Sequence, residues 1–199
     1  MNLLKEKDIN IKKIARLLKK KKVLVLPTET VYGLFGNSLE QKVVDRIFNI
    51  KKRPENKPVG IFVKDISMAK RYAEVSDKAQ LILKKNWPGP FTFILKKKKR
   101  FPLGVGTEET IGVRVPDYKL FTRLFKKIKF PLAQTSANIS GFGSLSSGAE
   151  IIGQFKNRAE KPDYVLDRGE VGAGAASTVV DLTGPEPRVL REGTVSSAE

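Results

Sequence analysis

Residues 23–33 read Val-Leu-Val-Leu-Pro-Thr-Glu-Thr-Val-Tyr-Gly, a short apolar run followed by a polar segment. Four consecutive aliphatic residues at 23–26 are typical of a buried strand. The strand leads directly into residues 27–33, which place two hydroxyls and a carboxylate just beyond its carboxyl end. Open α/β sheets bind ligands at that end of their strands. The stretch predicts a buried strand and a ligand-binding loop, and an ordinary polar strand-to-helix loop remains the alternative.

Strands and helices alternate along the rest of the chain. The first helix is predicted to start after a cap at Asp8 and the second after a cap at Ser38. Further helices are predicted near 67–73, 76–85, 118–127 and 149–155. Strands are predicted at 23–26, 59–63, 91–95, 111–115, 131–134, 164–166, 177–182 and 188–191. This order predicts an α/β fold with a twisted, mixed β-sheet covered by helices, because the last strands follow one another closely.

The composition limits the class of protein and the kind of chemistry. A chain of 199 residues that is 40% hydrophobic predicts a single domain over 1–199. The sequence has no signal-like start and no apolar run of about 20 residues, so we expect a cytoplasmic protein without a membrane segment. It contains no cysteine and no histidine, which excludes thiolate nucleophiles, imidazole zinc sites and Ser-His-Asp triads.

The charge is strongly basic. Lysine and arginine number 38 against 21 aspartates and glutamates, a formal net charge of +17. Such an excess predicts attraction to polyanions such as RNA, nucleotides or acidic membrane surfaces. Much of it lies in the lysine runs 19–22 and 96–99, which also fit solvated helix ends or hairpin tips.

Several polar segments are candidates for a binding site. The basic loop 51–58 is bounded by prolines and offers four cations to phosphates, unless it is only a solvated loop. Residues 135–141 follow a strand and are rich in hydroxyls. Such a segment fits a phosphate-binding site, and it also fits a common serine-rich turn. Thr110 and Arg114 lie four apart on one strand and should share a face, which makes Arg114 a candidate carboxylate clamp or a surface arginine.

Together these segments occur in the order of a known family. The pattern consists of seven segments: the loop 27–33, the basic loop 51–58, Trp-Pro-Gly-Pro-Phe-Thr at 87–92, Val-Arg-Val-Pro at 113–116, the segment 135–141 with its Ser-Ala-Asn-Ile-Ser-Gly, and residues 177–181 and 191–193. In order and spacing it resembles the YrdC-like domain of threonylcarbamoyl-adenylate synthases over nearly the whole chain.

The resemblance implies the fold, the reaction and the contact residues. Such enzymes join L-threonine, bicarbonate and ATP, with Mg²⁺ accompanying the ATP, into threonylcarbamoyl-AMP and pyrophosphate without a protein nucleophile. By resemblance, the threonine-binding residues are Thr30, Arg114, Gln134 and Ser177. By the same resemblance, the ATP-binding residues are Lys51, Arg53, Lys57, Thr110, Ser136, Ser144 and Arg191.

The chain departs from the family pattern at a few positions. Phe62 stands where many relatives have a histidine, Lys52 where a glycine is frequent and Lys57 where an asparagine is common. The length resembles the short form of the family, which would pass its product to a separate transferase for t6A modification of tRNA. Two alternatives are a non-catalytic RNA-binding module and a carbamoyl-transfer domain of hydrogenase maturation, and the absence of cysteine speaks against the second.

Overall fold

The computed structural model describes residues 1–5, 10–171 and 176–193. The helices are α1 Ile11–Lys19, α2 Gln41–Lys51, α3 Ile66–Ala69, α4 Asp77–Asn86, α5 Lys119–Phe125 and α6 Gly148–Phe155. The strands are β1 Asn2–Lys5, β2 Leu24–Leu26, β3 Gly33–Asn37, β4 Gly60–Phe62, β5 Phe91–Lys96, β6 Thr110–Arg114, β7 Leu132–Ser136, β8 Tyr164–Asp167, β9 Thr178–Asp181 and β10 Arg188–Arg191. Every predicted helix and strand is present, with boundaries shifted by a few residues.

The strands form one sheet in the order β1-β8-β2-β3-β7-β4-β6-β5-β9-β10. Parallel pairs are β1 with β8, β2 with β8, β4 with β6 and β5 with β9. The remaining neighbours are antiparallel. The predicted α/β class with a mixed sheet is therefore confirmed. No helix in the described part of the chain has both the length and the apolar character that a membrane crossing requires.

The segment after β2 has a different connection from the one expected. It is not a strand-to-helix loop, because residues 27–32 join β2 to the antiparallel strand β3. The sequence analysis missed β3, whose sequence Gly-Leu-Phe-Gly-Asn carries two glycines that weaken the strand signal. Gly36 lies so close to α2 that a Cβ atom there would be 2.3 Å from Val43 Cγ1. Packing of a helix on the strand, and not strand propensity, explains this element.

The caps of the first two helices also differ from the predictions. Asn10 caps α1, and its side chain accepts hydrogen bonds from the Lys12 and Lys13 amides; Asp8 lies outside the described residues. The predicted cap Ser38 is wrong, since α2 begins at Gln41. The Ser38 hydroxyl instead donates to the Pro131 carbonyl at 2.9 Å.

An aromatic cluster supports the centre of the sheet. Phe35 on β3, Phe62 on β4 and Phe121 on α5 are buried, with ring centroids 5.0–5.2 Å apart. Tilted and edge-on rings at such distances attract one another beyond their burial of apolar area. The cluster packs α5 against β3 and β4, and β4 pairs with β6, which carries Arg114.

Candidate functional site

A cavity of about 300 Å³ lies over the central strands and the loops that follow them. It collects residues from seven separate parts of the chain. All four predicted threonine-binding residues and four of the seven predicted ATP-binding residues line it. These eight are Thr30, Arg53, Thr110, Arg114, Gln134, Ser136, Ser177 and Arg191. The expectation that Thr110 and Arg114 share a face is confirmed, because both face this cavity.

The remaining three predicted ATP-binding residues lie outside the cavity lining. Lys51 is buried behind it, whereas the side chains of Lys57 and Ser144 are exposed. The Lys57 carbonyl accepts a hydrogen bond from Arg53 Nε, so the backbone of this residue supports the site even though its ammonium faces solvent.

Two glycines form part of the floor of the cavity. Gly60 on β4 and Gly112 on β6 lie side by side, and a Cβ atom on Gly60 would be 2.9 Å from the Gly112 carbonyl oxygen. A side chain at Gly60 would therefore crowd the floor. Sequence reasoning missed both, although a glycine inside a strand pattern is a recognised sign of close approach.

Arg114 is the most constrained cation of the site. It is only 2% exposed, and Nε donates to the Gly89 carbonyl at 3.0 Å and Nη1 to Thr30 Oγ1 at 3.3 Å. Nη2 lies 2.7 Å from Glu29 Oε1, which also accepts the Asp117 amide at 2.8 Å. The sequence analysis did not foresee the pairing with Glu29, which neutralises a cation that burial would otherwise penalise.

Phe62 provides the other support of Arg114. The guanidinium carbon lies 5.4 Å from the centroid of the Phe62 ring. A ring at this distance attracts a cation through its quadrupole. The family departure at Phe62 therefore has a defined place in the structure: the ring packs in the aromatic cluster beneath the arginine and does not line the cavity.

On the β9–β10 side, a chain of hydroxyls and an arginine closes the cavity. Ser177 Oγ lies 2.9 Å from Thr92 Oγ1. Arg191 Nη2 donates to the Ser177 carbonyl at 2.8 Å and approaches Ser177 Oγ at 3.4 Å. The predicted threonine contact Ser177 and the predicted ATP contact Arg191 are thus direct neighbours. Thr92 belongs to the 87–92 segment of the family pattern, but no contact was predicted for it.

On the β7 side, Arg53 is held by the loop that follows α2. Its Nη2 donates to the Pro58 carbonyl at 3.0 Å and its Nη1 to Thr135 Oγ1 at 3.4 Å. These contacts hold the guanidinium beside the end of β7, where Ser136 also lines the cavity.

The electrostatics of the cavity favour an anionic ligand. Among the described lining residues there are three arginines and no aspartate, glutamate or histidine. Burial lowers the pKa of Arg53, Arg114 and Arg191 relative to a solvated guanidinium. Because Glu29 neutralises Arg114, the uncompensated charge belongs to Arg53 and Arg191, and their incomplete hydration is relieved when oxyanions bind to them. The arrangement can hold carboxylate and phosphate groups in one small space.

The fold and the cavity define an α/β protein with a polar cavity built from three arginines, hydroxyls and a glycine floor, a lining suited to oxyanions. The family model for the Sua5, YciO and YrdC proteins, described as telomere recombination, matches residues 16–193. The chain belongs to this family.

Two archaeal relatives carry the name of an enzyme. A provisionally named threonylcarbamoyl-AMP synthase of Methanocaldococcus jannaschii is 38% identical over 188 residues, covering 92% of this chain and 87% of the relative. A threonylcarbamoyl-AMP synthase of Pyrococcus abyssi is 36% identical over 181 residues, covering 90% of this chain and 52% of the relative. The chain therefore spans about half of the Pyrococcus protein.

Two solved structures share the fold. Pyrococcus abyssi Sua5 complexed with L-threonine superposes with a TM-score of 0.86 at 34% identity, over 96% of this chain and 57% of that one. Escherichia coli YciO gives a TM-score of 0.85 at 28% identity, over 97% of this chain and 95% of that one. The fold is shared both with a threonine-binding protein and with a protein whose name states no activity.

Proposed function

We propose that the protein is an L-threonylcarbamoyladenylate synthase, a nucleotidyltransferase that converts L-threonine, bicarbonate and ATP into threonylcarbamoyl-AMP and pyrophosphate. One observation carries the proposal: eight residues expected from the family pattern converge on a single cavity with three arginines. The names of the archaeal relatives and the L-threonine in the Pyrococcus Sua5 complex support it.

The amino acid would lie against Arg114, Thr30, Gln134 and Ser177. An arginine matches a carboxylate through parallel donors, and Arg114 is already oriented by Gly89, Thr30 and Glu29. The hydroxyls of Thr30 and Ser177 are suited to polar groups on the rest of the amino acid.

The nucleotide would lie beside the amino acid, along Arg53, Thr110, Ser136 and Arg191. The Arg191–Ser177 contact makes the two halves of the cavity adjacent, as a transfer between two bound substrates requires. ATP would arrive as its magnesium complex. The described lining residues offer hydroxyls but no carboxylate to the metal, so phosphates and water would supply its ligands.

The reaction divides into two balanced steps. The amine of threonine adds to the carbon of bicarbonate, and loss of water leaves a carbamate on the nitrogen. A carbamate oxygen then attacks the α-phosphorus of ATP, the bond to the β-phosphate oxygen breaks, and pyrophosphate leaves. Neither step needs a protein nucleophile. Arg53 and Arg191 are suited to stabilise the charge that develops on the phosphates, and Arg114 to align the amino acid.

The product would pass to a separate transferase that modifies tRNA to t6A, because a mixed anhydride of AMP is an activated acyl donor. ATP, threonine and tRNA all meet in the cytoplasm, where we place the reaction. The proposal is tested by incubating the protein with ATP, Mg²⁺, bicarbonate and each common amino acid in turn. Pyrophosphate release that occurs with L-threonine and with no other amino acid supports it, and release that is independent of the amino acid contradicts it.

A second function, contact with RNA, is favoured by one surface. We define the basic face as residues 11–22 and 118–129, which contain α1 and α5. These segments hold twelve lysines and arginines and no acidic residue, and the two helices pack against each other. Within the described residues, the ion pairs of this face are Lys21 with Glu40 and Lys22 with Asp163. The other ten cations are available to phosphates.

The basic face contains a groove suited to a phosphate backbone. A cavity of about 450 Å³ between the start of α1 and the end of α5 is lined by Lys12, Arg123, Lys126 and Lys127, next to Asn10 and Ile11. None of the large exposed apolar side chains in the described residues lies on this face. Stacking on unpaired bases and insertion into lipid both use such side chains, so phosphates of a double-helical RNA are the better fit.

The RNA contact is tested with two quadruple glutamine variants of equal charge loss. One replaces Lys12, Arg123, Lys126 and Lys127 in the groove, and the matched control replaces the exposed Lys70, Lys84, Lys99 and Arg100. Only the groove variant should weaken binding of an RNA hairpin and lower the slope of log affinity against log salt, by about 3. Equal losses in both variants would show bulk attraction without a site, and tighter binding to anionic vesicles would point to a membrane.

A further inference from the structure

The ammonium group of Lys51, the last residue of α2, is enclosed by oxygen atoms. The residue is 3% exposed. Its Nζ lies 2.9 Å from the Ser136 carbonyl oxygen, 3.1 Å from Ser136 Oγ, 2.8 Å from the Asn138 carbonyl oxygen and 2.9 Å from Asn138 Oδ1. An ammonium has three N–H donors, and four acceptors already compete for them. No donor is left over for a phosphate.

The backbone of Lys51 binds the same segment. Its carbonyl oxygen accepts the Ser140 amide at 2.8 Å. Asn138, which receives the ammonium, donates from its own side chain to the Ile139 carbonyl at 3.1 Å and to the Phe142 carbonyl. Residues 136–140 are therefore tied to the end of α2 at both ends. Ser136 is the member of this segment that faces the cavity together with Arg53.

We propose that Lys51 is a positioning residue, which holds residues 136–140 in the shape that presents Ser136 to the nucleotide and does not itself contact the phosphates. The identity of the ligand as a nucleotide rests on the proposed function, whereas the clamp on the segment does not. This role differs from the direct ATP contact that the family pattern implies for Lys51. It also explains why a cation within the basic loop is buried beneath the cavity and absent from its lining.

The pKa of Lys51 reflects how completely the clamp encloses its ammonium. Burial, and to a smaller extent the Arg53 charge, lower the pKa of Lys51 to about 7. Residues 136–140 contain no ionisable side chain, so Arg53 is the charged group that acts on the ammonium. Opening of the clamp would return the amine to water and to its ordinary pKa, so the closed clamp becomes more favourable as the pH rises above 7.

The test measures amide protection in residues 136–140 by hydrogen exchange without any nucleotide. Lys51→Met should lower protection of these amides by about tenfold or more, because it leaves four buried acceptors without their donor. Lys51→Arg should lower it similarly, since a guanidinium spreads its donors over three nitrogens and does not fit a cage built around one. The control Lys52→Met removes an exposed lysine at the same helix end and should change nothing.

ATP binding then separates positioning from direct contact. Both Lys51 variants should weaken ATP binding about tenfold or more while L-threonine binding changes less than about threefold. The proposal would be overturned by two results together. Lys51→Met would keep wild-type protection of residues 136–140, and Lys51→Arg would bind ATP as tightly as wild type, which would show a direct phosphate contact. If the variants do not fold, the wild-type protein still decides: protection of residues 136–140, corrected for the intrinsic exchange rate, must rise with pH above 7, and constant protection overturns the proposal. If wild-type protein binds no ATP, the proposed nucleotide function is refuted. The hydrogen-exchange result, which is measured without nucleotide, would still decide whether Lys51 holds residues 136–140.

Discussion

Replacing Arg114 with lysine perturbs the threonine half of the proposed site most selectively. The lysine keeps the positive charge opposite Glu29, but a single nitrogen does not reach the Gly89 carbonyl and Thr30 Oγ1 as the guanidinium does at 3.0 and 3.3 Å. It also loses the planar group that lies over Phe62. The variant therefore changes geometry at constant charge.

Two separate magnitudes follow from these contacts. Loss of two hydrogen bonds from a buried charged donor should lower the free energy of unfolding by about 2–4 kcal/mol. For a chain of this size, that corresponds to a melting temperature lower by roughly 5–15 °C. Loss of paired donors to the substrate carboxylate should weaken L-threonine binding by about tenfold or more, equivalent to at least about 1.4 kcal/mol.

The assay is calorimetric titration of L-threonine and of ATP at a temperature where the variant is fully folded by circular dichroism. The control is Arg100→Lys, which changes an exposed arginine outside the cavity. We expect weaker threonine binding, ATP binding changed by less than about threefold, and an unaffected control. A folded Arg114→Lys variant that binds threonine as tightly as wild type would refute the assignment of Arg114 as the carboxylate clamp.

Three further outcomes are expected. Arg53→Ala should weaken ATP binding far more than Lys99→Ala, because Arg53 lines the cavity and Lys99 is exposed; comparable losses at fixed salt would mean that net charge governs binding. Because burial lowers the folded-state pKa of Lys51 to about 7 from the ordinary lysine value of 10.5, the unfolded chain holds more protons between these values. The contribution of Lys51 to the free energy of unfolding should therefore rise with pH across this window. Urea titrations measure it as the difference between wild type and Lys51→Met, and the same difference at pH 7 and at pH 9 would contradict the prediction. Gly60→Ala should weaken ATP or threonine binding, since a Cβ atom there would be 2.9 Å from the Gly112 carbonyl; unchanged titrations would remove these glycines from the floor.

The sequence was sufficient to predict the sheet class and most strands, since stretches such as 23–26 and 111–115 are rich in aliphatic residues and each ends at a proline. It was insufficient for β3, because two glycines in five residues hide a strand that exists through packing on α2. Ser38 has the composition of a helix cap, but its hydroxyl bonds to the distant Pro131 carbonyl. Contacts between residues far apart in sequence leave no local signal.

The candidate site also combines residues that the sequence predicts with contacts that only the fold reveals. Family order along the chain anticipated residues that converge on the cavity, such as Arg114, Ser177 and Arg191. It did not reveal which cations are already occupied. Arg114 is paired with Glu29, and Lys51 is enclosed by backbone and side-chain oxygens. Charge in a sequence identifies a basic loop, whereas only the fold shows whether each ammonium faces ligand, solvent or protein.

The most direct test of the proposed reaction is the mass of the nucleotide product formed from ATP, L-threonine and ¹³C-bicarbonate with Mg²⁺. The proposed chemistry predicts a threonylcarbamoyl-AMP ion that is one mass unit heavier than the product from unlabelled bicarbonate, formed together with pyrophosphate. It also predicts that the ion is lost when threonine or bicarbonate is omitted. Pyrophosphate release that yields threonyl-AMP, or an adenylate that carries no ¹³C, would contradict the account.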